Sequence, residues 1–471
     1  MRYKTLLITT ILSLSACTVG PDYQKPAREL PADFVAADVL QALNVDNANK
    51  GVLPLWWQGF HDPVLNDLVE SGIGKNFEIA GAYARVKAAK AEVQLAGADA
   101  RPTVDVDING GANASRDFRP NRDNDTETSM SGAAGIAIPL DVFGATRRAV
   151  EAAEYAYIRA EDELKGAVLD VSAEITAEYL GFRGQQRQLA LLNQSIALQE
   201  KTLDIVRARY ESGLAPELDL QRAVASVQSL KASVPPLLED LQNKRNRLAV
   251  LTGRFPGYYE ALLSEEGGIP VYQAAIPTLM PLAVVNARPD VRAAEGRLKE
   301  ATANIGVAEA AYYPSFSLSQ SLRIGLTDVS SVPVAQNLVA SFAALITHAL
   351  SDGGVRGARM NIAKAEAEEA LANYDLTLRE AVEDVELSLN AIKSSSDRQQ
   401  YLANSVAASA RSFHQAQTLY QQGLISFLDV VDAQQDLASD EQRLASEQTD
   451  YATEIANLFK VLGADVPVKA Q

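Results

Sequence analysis

The sequence predicts a mainly α-helical chain, internally duplicated, with a smaller β part of four strands. Three observations carry this. Gly144, Tyr210, Gly213, Asp219 and Gly253 recur as Gly354, Tyr420, Gly423, Asp429 and Gly463, each 210 residues further on. Apolar residues fall at intervals of seven over long proline-free stretches. Each copy also holds a block in which polar and apolar residues alternate. A repeat this long is a duplicated fold and not a solenoid array, whose period is far shorter.

The chain opens with a short basic start, Met1-Arg2-Tyr3-Lys4, an apolar run from Thr5 to Ser13, and Leu14-Ser15-Ala16-Cys17. This reads as a secretory signal over 1–16, too short to span a membrane. Cys17 is the only cysteine, so no intrachain disulfide can form. Its place directly after Leu-Ser-Ala resembles a bacterial lipoprotein signal, which implies lipidation at Cys17. An ordinary signal peptide with an incidental cysteine is the alternative. Thr18 rather than Asp at the next position favours the outer membrane by resemblance to sorting rules.

Residues 17–74 form an N-terminal, lipid-anchored segment. The first repeat covers 75–253, a connecting segment 254–289, the second repeat 290–463, and a tail 464–471. Upstream, Arg85-Val86-Lys87 and Pro102 match Arg297-Leu298-Lys299 and Pro314 at an offset of 212. The copies therefore differ in length by two residues between Pro102 and Gly144.

In each repeat a helix comes first, roughly Phe77–Arg101 and Asp290–Tyr313. Strands follow: Thr103–Asn109 and Ser315–Ser319 alternate, with Ser129–Leu140 and Leu338–Leu350 as partners. Polar connections, Ser115–Thr128 and Gly325–Pro333, join them. Such segments suit the wall of a transmembrane barrel. A small soluble sheet capping a coiled coil is the alternative. Four strands cannot close a barrel, and an open edge in lipid leaves backbone groups unpaired. A membrane-spanning sheet would therefore require several chains to share one barrel.

A long helix comes next. Val168, Ile175, Phe182, Leu189, Ile196, Leu203 and Tyr210 keep the seven-residue spacing, as do Leu378, Val385, Ile392, Val406, Phe413 and Tyr420, with Gln399 as a polar exception. Strict heptads mark helices that wind left-handedly around neighbours. The 69 residues from Gly144 to Gly213 would make a rod of about 100 Å. A shorter helix returns to Gly253 or Gly463, which read as C-caps. Pro235-Pro236 should bend or break the first returning helix.

Four motifs then show a resemblance. Cys17-Thr18-Val19-Gly20-Pro21-Asp22-Tyr23 is followed by Trp56-Trp57-Gln58-Gly59-Phe60 with Asp62-Pro63-Val64-Leu65. Further on come Arg288-Pro289-Asp290-Val291-Arg292-Ala293-Ala294-Glu295 and Tyr313-Pro314-Ser315-Phe316. In order and spacing these resemble the lipoprotein branch of the TolC-like outer membrane factors, from Cys17 to about Gly463. The resemblance implies a homotrimer in which each protomer gives four strands to one β-barrel and its helices to a coiled-coil periplasmic barrel. It implies a passive exit duct for drugs and other small molecules. The implied partners are a periplasmic adaptor, an inner-membrane transporter of the RND type and outer-membrane lipid.

The resemblance also assigns the two turns. Gly213, Leu214, Gly423 and Leu424 match hairpin tips that meet the adaptor and constrict the pore. Asp429 and Asp432 match paired aspartate rings at that constriction. Positions three apart share a helix face, and a ring of carboxylates attracts cations. Alternatively, Asp429 caps a helix and Asp432 complements its dipole, a reading that suits Asp219 as well. Asp219 and Tyr420 match a latch between the two coiled coils. A second family tie is missing, since Ile425 and Leu218 stand in its places. Closure would then lean on Asp219–Tyr420 and on packing of Leu214, Ile425 and Phe427.

Other classes fit less well. Net charge is −17, and loss of Arg2 and Lys4 with the signal takes it to −19, which disfavours nucleic acid. No stretch of 18 apolar residues suggests a transmembrane helix. His61, His348 and His414 are the only histidines, and none sits at metal-ligand spacing. No nucleophile elbow or phosphate loop appears, so neither enzyme activity nor a cofactor is expected. The rival readings are a lipid-anchored coiled-coil scaffold or adhesin without a pore, and a duct serving a type I protein exporter.

Overall fold

The computed structural model describes residues 18–36, 38–39, 55–115, 125–274, 276, 280–329, 332–464 and 466. Cys17 and the signal segment lie outside the described residues. The chain divides into two compact units. One holds the described residues up to Ala27, Arg85–Ala160 and Ala293–Asp375; the other holds Arg28–Ala84, Glu161–Arg292 and the residues from Leu376 on.

In chain order the elements are α1 (Pro63–Lys75), α2 (Phe77–Ala98), β1 (Thr103–Ser115), β2 (Asp125–Leu140), α3 (Ala145–Glu211), α4 (Glu217–Ala232) and α5 (Val234–Leu251). Then come α6 (Pro281–Ala287), α7 (Pro289–Ala310), β3 (Ser315–Val329), β4 (Val332–Thr347), α8 (Val355–Gln421) and α9 (Phe427–Val461). The duplication is visible in these bounds. α2 and α7 start 212 residues apart, whereas α3 and α8 both start and end 210 apart.

In the first unit the sheet runs β1-β2-β3-β4, every pair antiparallel. Its strands are longer than the alternation suggested: β1, β2, β3 and β4 have 13, 16, 15 and 16 residues. The expected connections shrink accordingly, because Gly-Ala-Asn and Ser-Thr sequences without clear alternation still pair across the ladder. The register keeps parity. Val104 pairs with Ile136, Ile136 with Gln320, and Gln320 with Phe342. Since successive side chains alternate sides, even-numbered residues share one face and odd-numbered residues the other, up to a register shift between Thr327 and Asp328, beyond which Asp328 pairs with Pro333.

The even face carries Val104, Val106, Ile108, Ile136, Leu322, Ile324, Leu338, Phe342 and Ile346, all exposed. The odd face carries Asp105, Asp107, Asn109, Ser131, Ser317, Ser319, Ser321, Arg323 and Ser341, with Val339 and Leu345 as exposed apolar exceptions. β1 and β4 are both open edges. At the foot of β2 the N-terminal segment docks: Val19 donates to the Phe143 carbonyl at 3.2 Å. Arg148 donates to the carbonyls of Val19 and Gly20 at 3.0 and 3.1 Å and pairs with Asp22 at 2.7 Å. A Cβ on Gly144 would lie 2.7 Å from the Thr18 methyl, so Gly144 leaves room for this segment. Tyr313 stacks on Phe143 at 4.6 Å, which accounts for the aromatic at the strand entry.

The second unit is built on the heptads. Val168, Ile175 and Phe182 on α3 and Val385 and Ile392 on α8 are fully buried. Trp56 and Trp57 are fully buried too, with Trp56 stacked on Phe459 at 5.3 Å. Asp62 caps α1 by accepting from Val64 and Leu65, and also accepts from the Tyr179 hydroxyl at 2.7 Å. His61 sits at φ 52°, closing the turn before α1. Arg288 donates to Asp290, Asp384 and the Val461 carbonyl, pinning the start of α7 to α8 and α9. Although burial opposes it, Arg288 holds the Asp290 carboxyl below its ordinary range.

The returning helices differ as Pro235-Pro236 predicts. α4 and α5 are separated at Ser233, while α9 runs unbroken for 35 residues. The break is slight: Ser233 keeps right-handed helical dihedrals and donates to Leu230.

Candidate functional site

The two tips lie within the second unit and are made the same way. α3 ends when Gly213 donates to Tyr210 and Leu214 to Arg209, at 2.9 and 2.8 Å; α8 ends with Gly423 to Tyr420 and Leu424 to Leu419, at 2.9 and 3.0 Å. This pairing caps the last carbonyls and needs a left-handed residue. Gly213 and Gly423 supply it, at φ 73° and 75°. A Cβ on Gly213 would meet nothing within 4 Å, so backbone conformation, not space, demands glycine there. Leu214 and Leu424 remain about two-thirds exposed, so Leu214 does not join the packing expected of it.

That packing forms without Leu214. Val206, Ala223, Phe413, Ala416, Tyr420, Phe427 and Val430 make one buried cluster, with Ile425 and Leu220 packed against it. It ties α3 and α4 of the first copy to α8 and α9 of the second. Phe427 therefore lies within this cluster and Ile425 packs against it.

Tyr420 is buried, whereas its repeat partner Tyr210 is 39 % exposed. Among the described residues the Tyr420 hydroxyl has no hydrogen-bond partner, so Asp219 does not accept from it. Burial pushes the phenol up; Arg209 works against this and the Asp219 charge adds to it. The strong contact on Tyr420 comes from Arg209, whose guanidinium lies 4.8 Å over the ring and donates to the Tyr420 carbonyl at 2.9 Å. Arg209 was missed by sequence reasoning. The repeat held a signal, because its counterpart 210 residues on is Leu419.

Asp429 sits in a capping box. Its Oδ2 accepts from the Ser426 amide and hydroxyl at 2.9 and 2.7 Å, while Ser426 Oγ accepts from the Asp429 amide at 3.4 Å. The Ser426 hydrogen bonds hold the Asp429 carboxyl below its ordinary value of 3.8. In the first copy Pro216 occupies the same place and offers no side-chain cap, so the capping alternative does not extend to Asp219. Asp432 is exposed, and among the described residues it has no hydrogen bond or ion pair. Its counterpart is Arg222, also exposed.

A four-stranded sheet with one apolar and one polar face, joined to long paired hairpins whose tips interlock, defines the class: an outer-membrane channel protein with a large helical part. The comparisons agree. The profile described as "Outer membrane efflux protein" matches the chain twice, at residues 68–254 and 282–464. The chain is 30% identical over 465 residues to Nodulation protein T of Rhizobium leguminosarum bv. trifolii, covering 98% of this chain and 97% of that protein. It is 27% identical to Outer membrane protein OprJ of Pseudomonas aeruginosa, covering 96% and 94%. The solved outer-membrane channel OprN superposes with a TM-score of 0.85 at 29% identity, over 95% of this chain and 99% of that one. The chain belongs to the outer membrane efflux protein family.

Proposed function

We propose that three copies of this chain form a passive exit duct, closing one barrel from their twelve strands and one coiled-coil tube from their helices. The observation that carries this is the patterning of the sheet: its exposed large apolar residues are even-numbered apart from Val339 and Leu345, and both edges are open. In lipid such a sheet must be closed by other copies. The duct meets a periplasmic adaptor and an inner-membrane RND-type pump in a tripartite system, with Leu214 and Leu424 as exposed contacts at the tips. Lipidation at Cys17 anchors it in the outer membrane. The docking of Thr18 and Val19 at the foot of β2 supports this, because it brings the chain start to the end of a strand. Signal, anchored segment, two repeats, connector and tail keep the boundaries given above.

Asp429 and Asp432 form carboxylate rings at the constriction. Asp429 can serve as both cap and ring, since its recorded bonds engage only Oδ2. Asp219 and Tyr420 act as the latch through the Asp219 charge beside the phenol and the Tyr420 ring held by Arg209, without a hydrogen bond between them. Cargo is set by the pump; named relatives already range from a "Toluene efflux pump" to a "Cation efflux system" component.

Planar-bilayer recording of the purified protein, with its heat-sensitive trimer followed on gels, tests the duct. The expected result is a small cation-preferring conductance that rises in Asp219→Ala and Tyr420→Ala and loses its cation preference in Asp432→Asn. Absence of any conductance from an intact trimer would refute the duct. Unchanged conductance in the two latch variants would refute the latch alone.

A further inference from the structure

The cluster at the tips does not fill the space behind it. Between α4–α5 and α9, with α3 as its floor, lies a groove of about 750 Å³ within the second unit. That is the size of a site for a drug-like molecule. Leu230, Leu237, Leu428 and Val431 line it without being fully buried, so they give it accessible apolar surface. In a chain of net charge −17, the lining holds Arg222 and no carboxylate.

Arg222 is exposed, and among the described residues it makes no hydrogen bond or ion pair, not even with Asp219 one turn before it. Ser226 and Ser229 follow it on the same face of α4 and line the groove with it. This face is where the two copies differ. The residues that answer Arg222 and Ser226 in the second repeat are Asp432 and Asp436, and neither lines the groove. The α4 wall thus carries two fewer carboxylates and one more guanidinium than its repeat. An unpaired guanidinium beside hydroxyls and apolar side chains is complementary to a carboxylate with an apolar body.

We propose that this groove binds a small amphipathic carboxylate. The carboxylate accepts from the Arg222 guanidinium, with the Ser226 and Ser229 hydroxyls as further donors, and the apolar body lies on Leu230, Leu428 and Val431. Local charge decides the class of ligand. The chain as a whole repels anions, so preference for one requires a site with its own cation and no acid in its lining. A neutral molecule would leave Arg222 unused, and a cation would face it directly. Arg222 belongs to the first hairpin and Leu428 and Val431 to the second, and Val431 also packs on the tip cluster. A bound molecule therefore touches both hairpins behind their tips. This goes beyond the duct reading, because the groove lies within one chain and is complete without conduction.

The test uses the full-length protein in a nonionic detergent, with phenylbutyrate, phenylbutanol and phenylbutylamine as probes of one skeleton and different charge. Binding is read by saturation-transfer NMR and titration. Phenylbutyrate should bind saturably and about tenfold more tightly than the alcohol, against the net charge of the chain. Arg222→Gln should weaken phenylbutyrate about tenfold and leave the alcohol unchanged. Ser226→Trp, which fills the groove, should abolish saturable binding of phenylbutyrate. If Ser226→Trp fails to fold, Arg222→Gln decides alone, because Arg222 bonds nothing among the described residues. The proposal is overturned if phenylbutyrate does not saturate, if the alcohol or the amine binds as tightly, or if Arg222→Gln binds phenylbutyrate undiminished. It is equally overturned if Arg222→Gln dissociates the trimer on gels, since Arg222 is then paired with another copy. None of these outcomes depends on whether the trimer conducts.

Discussion

Arg209 and Ser426 are two side chains at the tips that the repeat does not share, and each has a defined consequence. Arg209 joins the copies by lying on the Tyr420 ring while donating to its carbonyl. A stacked guanidinium with a hydrogen bond contributes about 1–2 kcal/mol, roughly a tenfold change in the closed-to-open ratio. Arg209→Ala should therefore raise open probability about tenfold in single-channel records, and Arg209→Lys should restore little, because an ammonium cannot stack and donate as a planar fork does. Tyr420→Phe should have a much smaller effect, since the lost hydroxyl bonds nothing in this protomer. Ser426 sets the start of α9 through Asp429. The Asp429 pKa is depressed in the fold, so the box contributes above the unfolded value and is lost as pH falls through the folded one. Ser426→Ala should return the Asp429 pKa to its ordinary range, seen by NMR titration. The first-turn amides of α9 should then exchange about fivefold faster at neutral pH. Below the folded pKa, variant and parent should exchange alike.

Element by element, packing of the long helices depends on small residues that the heptads do not reveal. Gly184 on α3 faces α9 so closely that a Cβ would lie 2.2 Å from Thr449 Oγ1 and 2.6 Å from its methyl. Gly184→Ala should cost about 1–3 kcal/mol through overpacking, lowering the temperature at which the trimer dissociates on gels. Thr449→Gly in the same chain should recover most of that loss. If Gly184→Ala dissociates at the parent's temperature, the close approach is wrong. Here the sequence was legible in one respect and silent in another. Heptads and tip glycines determine helix existence and ends by local chemistry, so α3 and α8 appeared where Gly144, Gly213, Gly354 and Gly423 placed them. Contacts such as Gly184–Thr449 and Arg209–Tyr420 join residues hundreds of positions apart, and no local pattern marks them. Strand length was underestimated because Gly, Ala and Ser pair in a ladder without alternating in polarity.

For the whole molecule, the parity of the sheet yields the most direct test of which face meets lipid. Arg323 lies on the odd, polar face and Ile324 beside it on the even, apolar face. Exchanging the two, as Arg323→Ile with Ile324→Arg, keeps composition, charge and β-propensity nearly constant. Only the face that carries the charge changes. An arginine on the lipid face of a barrel costs about 2–4 kcal/mol near the bilayer midplane, and a shared barrel would bear that cost in every copy. The exchanged protein should fail to accumulate as a heat-sensitive trimer in the outer membrane, while a chain with a second arginine on the polar face, Ser319→Arg, should assemble normally. A soluble sheet capping a coiled coil would respond in the opposite sense, because both faces would meet water and the exchange would be nearly neutral. Assembly of the exchanged protein at parental levels would thus remove the even face from the membrane, and the shared barrel with it.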